Sequence, residues 1–215
     1  MFGSKQEDRY AVVLKPSGEA MKVKHPEGDG IEPFFVLVGA TYDDGRAQVT
    51  NAAIIAGGGG LPGMTDGNVV MLVSRTAMLD GLKGEATVAL NDAATLLTGY
   101  PVFGTVAVFT TTSTGSWAGC TEEMAKDLGN MARGLREFSG QNGTLLRPSG
   151  DLGELTLEER ETMDMVQDRM RFCLSRRSVE RALDMLTSKD PQYRTEDAPT
   201  PDAINKRCDD AKGGE

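Results

Sequence analysis

Histidine is nearly absent from this chain, with one residue, His25, in 215. A zinc site built on two or more histidines is therefore excluded, and any Ser-His-Asp or Cys-His arrangement would have to use His25. His25 precedes Pro26 in a polar stretch and reads as a solvent-exposed loop residue. The cysteines are only Cys120, Cys173 and Cys208, odd in number, widely spaced and without a C-x-x-C pair. That pattern fits free thiols in a reducing compartment and not a disulfide framework. No catalytic constellation, cofactor motif or metal-ligand set follows from these residues. Catalytic, cofactor-binding and metal residues are accordingly expected to be none.

Long apolar runs are missing as well. None approaches the roughly 18 residues that a membrane helix needs, and Met1 to Tyr10 is polar and charged, unlike a secretory signal. A protein without membrane insertion is expected, cytoplasmic or in an assembled particle. Positive charge is in deficit, the net value being −9, so nucleic acid and anionic membranes should repel the chain as a whole. Aromatics are scarce at 6%, which leaves Val, Leu, Ile, Ala and Met to build the core.

What is present divides into two halves. In the first, Tyr10 to Lys15 and Glu19 to Lys24 flank Pro16-Ser17-Gly18 and predict a hairpin. Phe34 to Val38 (FFVLV) is apolar on both faces and predicts a central strand. Further strands are expected at Asn68 to Ser74, Ala86 to Leu90 and Val102 to Thr112. The Asp-Gly pairs at Asp29, Asp44, Asp66 and Asp80 favour tight antiparallel turns, because glycine there tolerates positive φ. A short helix is predicted from Asn91 to Thr98, capped by Asn91 and stopped by Gly99. Gly57-Gly58-Gly59-Gly60 lacks the Gly-Lys-[Ser/Thr] that a phosphate loop requires, and reads as a flexible or close-packing segment.

The second half is helical. Trp117, the only tryptophan, sits where the pattern changes and is expected to anchor the junction by burial. Thr121 caps a helix whose apolar stripe is Met124, Leu128, Met131, Leu135 and Phe138; small residues nearby, Gly129 and Gly134 among them, leave room for a close neighbour. Thr156-x-x-Glu159 is a capping box that opens a long helix, and Asp190-Pro191 stops it.

The fold class expected is α+β. An antiparallel β-rich domain, sandwich or barrel, over residues 8–115 is followed by a helical module over 116–190, with helices at about 121–139 and 156–189. An extended tail over 191–215 is too polar to order by itself.

The long helix carries the functional expectation. At about 100° per residue, Met163, Val166, Met170, Cys173 and Leu174 gather on one face, and Met165, Phe172, Val179, Leu183 and Leu186 on the other. One core needs one such face. Either the helix breaks near Ser175 to Ser178, or it is continuous and its second face meets another element. The continuous form is the expectation adopted. Arg169, Arg176, Arg177 and Arg181 lie where the helix dipole favours cations and could also dock an acidic surface, such as another copy's tail.

The leading expectation is thus a non-enzymatic structural or assembly subunit. It would act in a homo-oligomer or large complex, viral or phage particles included, through helix-face and terminal-arm contacts. Its partners would be itself or other protein subunits; nucleic acid is disfavoured. A small-ligand-binding β-domain gated by Gly57 to Gly60 is the alternative, and an enzyme using acidic residues the third reading.

Overall fold

Pro16, Ser17 and Gly18 reverse the chain as their chemistry dictates: Gly18 adopts φ 78°, and its N–H donates to the Lys15 carbonyl at 3.0 Å. The turn joins β1 (Tyr10–Leu14) to β2 (Ala20–Lys24) in an antiparallel hairpin, as expected. The computed structural model describes residues 8–25, 31–43, 48–50, 52–57, 69–84, 88–111, 117–139 and 156–187.

After the hairpin come α1 (Glu32–Leu37), β3 (Thr41–Asp43), β4 (Gln48–Thr50), β5 (Ala52–Gly57), β6 (Val69–Ser74), α2 (Arg75–Lys83) and α3 (Asp92–Thr98). Then follow β7 (Val106–Thr111), β8 (Trp117–Ala118), α4 (Glu122–Ser139), α5 (Leu157–Cys173) and α6 (Arg176–Thr187). The main sheet runs β2-β1-β7-β6-β5 with β8 also on β7, antiparallel throughout, and β3 pairs with β4 separately. The chain is α+β: an antiparallel sheet followed by helices.

Among the described residues the sheet is open, with β2 and β5 at its ends, and the cover on each face is helical. This differs from both the sandwich and the barrel, and the reason is in the strands. Val12, Leu14, Met71, Val73, Val106 and Val108 point to one face; Ala11, Val13, Val70, Leu72, Ala107 and Phe109 point to the other. Strands apolar on both faces need a cover on both sides. Side chains of α2 to α6 cover the first face and Ile31, Phe34, Phe35 and Val38, in and beside α1, the second.

The expected strand at Phe34 to Val38 is therefore a helix. Pro33 occupies its first turn, and Ile31, Phe34, Phe35 and Val38 are buried at helical spacing. Val36, which a strand would bury with Phe34, is 64% exposed. α2 was not foreseen. Ser74, the last residue of β6, accepts a bond from the Ala77 N–H at 3.3 Å, so strand passes to helix with no loop between. Asp80-Gly81 consequently lies inside α2 and makes no hairpin turn; glycine is needed there because the Phe103 ring occupies the space of a Cβ.

Asn91 and Gly99 bound α3 as expected, with Gly99 at φ 79°. The expected strand at Ala86 to Leu90 is reduced to a single bridge from Leu90 to Phe103, with residues 85–87 outside the described residues. β7 begins at Val106, later than expected, since Gly104 turns the chain at φ 82°. Thr121 accepts from the Met124 N–H at 3.2 Å and starts α4, whose Ala125, Leu128, Ala132 and Leu135 are buried. A Cβ at Gly129 or Gly134 would meet nothing within 4 Å, so neither supports close packing.

The expected continuous helix over 156–189 is two helices. α5 ends at Cys173 and α6 begins at Arg176, the break falling where the serines stand. The pairs at Asp29, Asp44 and Asp66, residues 58–60 of the glycine run, the Glu159 and Trp117 side chains, the Asp190-Pro191 stop and the tail lie outside the described residues.

Candidate protein-contact surfaces

The α5–α6 segment carries its apolar residues on faces that the break separates. On α5, Met163, Met170 and Cys173 are buried. Met165 and Phe172 are 66% and 63% exposed, and Leu157 is 74% exposed. These three exposed side chains fall within an arc of about 80° on a helix of about 100° per residue. Leu157 was not among the expected residues; it starts the same stripe eight positions before Met165, a spacing visible in the sequence.

Past the break the stripe does not continue outward. Leu186 packs with Ala182 into the main core, and Val179 and Leu183 are half-buried. The expected single interface of Met165, Phe172, Val179, Leu183 and Leu186 is thereby corrected. The turn at Leu174-Ser175 redirects α6, so Leu186 serves the core while Met165 and Phe172 remain at the surface.

The arginines are not one cluster either. Arg169 Nη2 donates to the Leu96 carbonyl at 3.2 Å, tying α5 to α3. The Arg181 guanidinium lies 6.0 Å from the ring centroid of buried Tyr100, a cation–π distance. Arg176 pairs with Glu180 at 2.8 Å on the surface, and Arg177 is exposed beside it. Arg169 and Arg181 thus brace the helices on their own body.

His25, expected at the surface, is only 7% exposed. Its ring stacks on Phe34 at 5.9 Å and meets the edge of Phe109 at 5.6 Å, which makes it part of the α1-side core. Burial pushes the Cys120 thiol up to about 12, and its Sγ donates to the Val108 carbonyl at 3.6 Å. Burial raises Cys173 too. Thiols held protonated in this way are poor nucleophiles and poor metal ligands. Among the described residues no three His, Cys, Asp or Glu side chains are placed to hold a metal ion, and no helix is long and apolar enough to cross a membrane.

A second surface brings together β2, near the start of the chain, and α4. Between β2 and α4 runs a groove of about 240 Å³, floored by Val12, Ala20 and Ala125 and bordered by Lys22, Lys126 and Arg133. At its rim Lys22 pairs with Glu122, and the Lys22 ammonium sits 4.4 Å over the Tyr10 ring. The hydrogen bond from Lys22, then that from the Tyr10 hydroxyl, lowers the Glu122 carboxyl below its ordinary range. Bonding to Glu122 in turn raises both Lys22 and Tyr10. These residues were not singled out in the sequence. Glu122, Lys126, Gly129, Asn130 and Arg133 do share one α4 face by spacing, but Lys22 joins them only through the fold.

No protein-family model, curated protein or solved structure gives a significant match to this chain. Function is therefore argued from these surfaces alone. The ligand-gating reading depends on Gly57 to Gly60, of which only Gly57, closing β5, is among the described residues.

Proposed function

We propose that the chain is a non-enzymatic assembly subunit, part of a homo-oligomer or larger complex, whose outer α5 face makes its protein contacts. The observation that carries this reading is the alignment of exposed Leu157, Met165 and Phe172 on a helix whose other face is already buried. Single exposed apolar residues are ordinary on any surface; three large ones in one stripe are the pattern of a helix awaiting a neighbour.

Magnitudes bound the contact. Burying a side chain of this size contributes about 1.5–3 kcal/mol, so the three together give roughly 4–9 kcal/mol. Association costs about 4–15 kcal/mol in lost freedom before any affinity appears. The α5 face thus supports a weak, concentration-dependent contact by itself and a stable one when other segments, the terminal arms in this reading, add area. The protonated, buried Cys120 and Cys173 suit a reducing compartment.

Light scattering on a size-exclusion column across a wide concentration range tests the proposal. The expected result is association that Met165→Glu with Phe172→Glu abolishes, with the unfolding midpoint unchanged because both positions are exposed. A monodisperse monomer at the highest concentration, which also retains no protein from native extract, overturns it.

A further inference from the structure

We infer that the groove between β2 and α4 docks an extended acidic segment of a partner protein, which adds as a strand to the free edge of β2. Within the described sheet β2 pairs with β1 alone. The hydrogen bonds from Lys15 N–H to the Glu19 carbonyl and from His25 N–H to the Arg9 carbonyl set the alternation of the hairpin. With Tyr10 opposite Lys24 and Leu14 opposite Ala20, Met21 and Val23 direct their backbone groups to β1. Ala20 and Lys22 direct theirs outward. Tyr10, in the same phase, sends its own groups the other way, exchanging bonds with Cys120 at 3.0 and 2.6 Å. The edge of β2 at Ala20 and Lys22 therefore offers the ladder that an added strand requires.

The groove beside that edge selects the strand by charge. Lys22 is matched by Glu122, which leaves Lys126 and Arg133 as surplus cations in a chain whose net charge is −9. They stand two turns apart on α4, about 10.5 Å along its axis. Carboxylates on alternate residues of an extended chain recur at about 7 Å, so two of them fall within reach of these flexible cations. Gly129 lies between the two, and the space where its Cβ would project is open. The small or branched residues that alternate with the acids fall on the other face of the sheet, the side on which Met21 and Val23 pack.

A second copy's β2 edge is a poor occupant. It would bring Lys22 and Lys24 against Lys22 and Lys24, and lysines on an edge strand oppose pairing of like edges. An acidic strand meets the opposite situation. Such a site is distinct from the outer face of α5, and its failure would leave the assembly reading in place.

The test is fluorescence anisotropy with a labelled peptide of about eight residues alternating Glu and Val. Binding should weaken as salt rises. It should fall about tenfold or more in Lys126→Glu with Arg133→Glu, and also in Gly129→Phe, which fills the groove. N-methylation of alternate peptide residues should abolish it by removing the N–H groups that face β2. Melting curves on each variant establish that it is folded. The proposal is overturned if a control peptide alternating Lys and Val binds as well, or if both folded variants bind like the unaltered chain. Preference for a single-stranded oligonucleotide over the Glu-Val peptide also overturns it, since the groove would then be reading phosphate charge.

Discussion

The Ser178 hydroxyl donates to the Phe172 carbonyl at 3.0 Å, closing the break between α5 and α6. In an unbroken helix that carbonyl would accept from the N–H four residues on. Here it accepts from the Ser175 N–H at 3.0 Å and from Ser178 instead. Ser175 in turn caps α6, its Oγ accepting from the Ser178 N–H at 3.4 Å. The pair replaces helical bonds with side-chain bonds, as serine is chemically equipped to do. The result turns Ala182 and Leu186 toward the core and leaves Phe172 outside.

Ser175→Ala removes the cap and should cost about 1 kcal/mol. Ser178→Ala deprives a part-buried carbonyl of one of its two donors and should cost about 1–2 kcal/mol. Urea denaturation of the single and double variants checks this. Because the hydroxyls lie 3.2 Å apart and share partners, the double variant should lose less than the sum of the singles.

The Asn91 side chain ties the start of α3 to β1 and to the Gly104 turn. It is fully buried; its Nδ2 donates to the Leu14 and Gly104 carbonyls, both at 2.9 Å, and its Oδ1 accepts from the Ala94 N–H at 3.1 Å. Asn91→Ala should destabilise by about 2–4 kcal/mol, since it uncaps α3 and strips two carbonyls of a donor. Asn91→Asp should do no better: it keeps the cap acceptor but aims a carboxylate oxygen at those carbonyls. Thermal unfolding of both variants decides the point.

Two helical glycines should respond to alanine in opposite directions. Gly81→Ala drives a Cβ into the Phe103 ring and should destabilise by about 1–3 kcal/mol. Gly129→Ala meets open space and should stabilise by about 0.5–1 kcal/mol through helix propensity. Comparing the two denaturation midpoints with that of the parent is sufficient.

The Glu122 cluster should make stability depend on pH at both extremes. Glu122 is lowered on folding by the Lys22 and Tyr10 bonds, so its contribution is present above its unfolded value and is lost as pH falls through the folded one. Lys22 is raised by Glu122, so its contribution is complete below its unfolded value and is lost as pH rises through the folded one. Glu122→Gln should therefore flatten part of the acid limb below about pH 4.5 and part of the alkaline limb above about pH 10. Both groups are exposed, so the effect should be small and should shrink as salt is added.

How much of this could be read beforehand follows from range. The hairpin at Pro16 to Gly18, the α3 cap at Asn91 and the α4 cap at Thr121 depend on residues a few positions apart, and each lies where local chemistry puts it. Phe34 to Val38 was misread because five consecutive apolar residues carry no period. Only with Ile31 included does helical spacing emerge, and only burial shows that Val36 is spared. α2 was hidden because Ser74 ends a strand and caps a helix at once. The groove was out of reach for another reason: Lys22 and Glu122 are 100 positions apart.

By itself the sequence determined the elements whose signals are covalent neighbours: turns, caps and apolar runs, hence an antiparallel sheet followed by helices. Its alternatives at Ser175 to Ser178, helix through or helix broken, differ locally by a few hydrogen bonds, and the local pattern favoured the continuous form that the structure overturns. Tertiary structure decided between them. Burying Ala182 and Leu186 on the sheet-covering core, about 1.5–3 kcal/mol for the leucine, favours the break, because the bonds of Ser175 and Ser178 replace helical bonds lost there. The same packing chose which apolar residues stay outside. Met165 and Phe172 lie at the surface because the core had no remaining face for them.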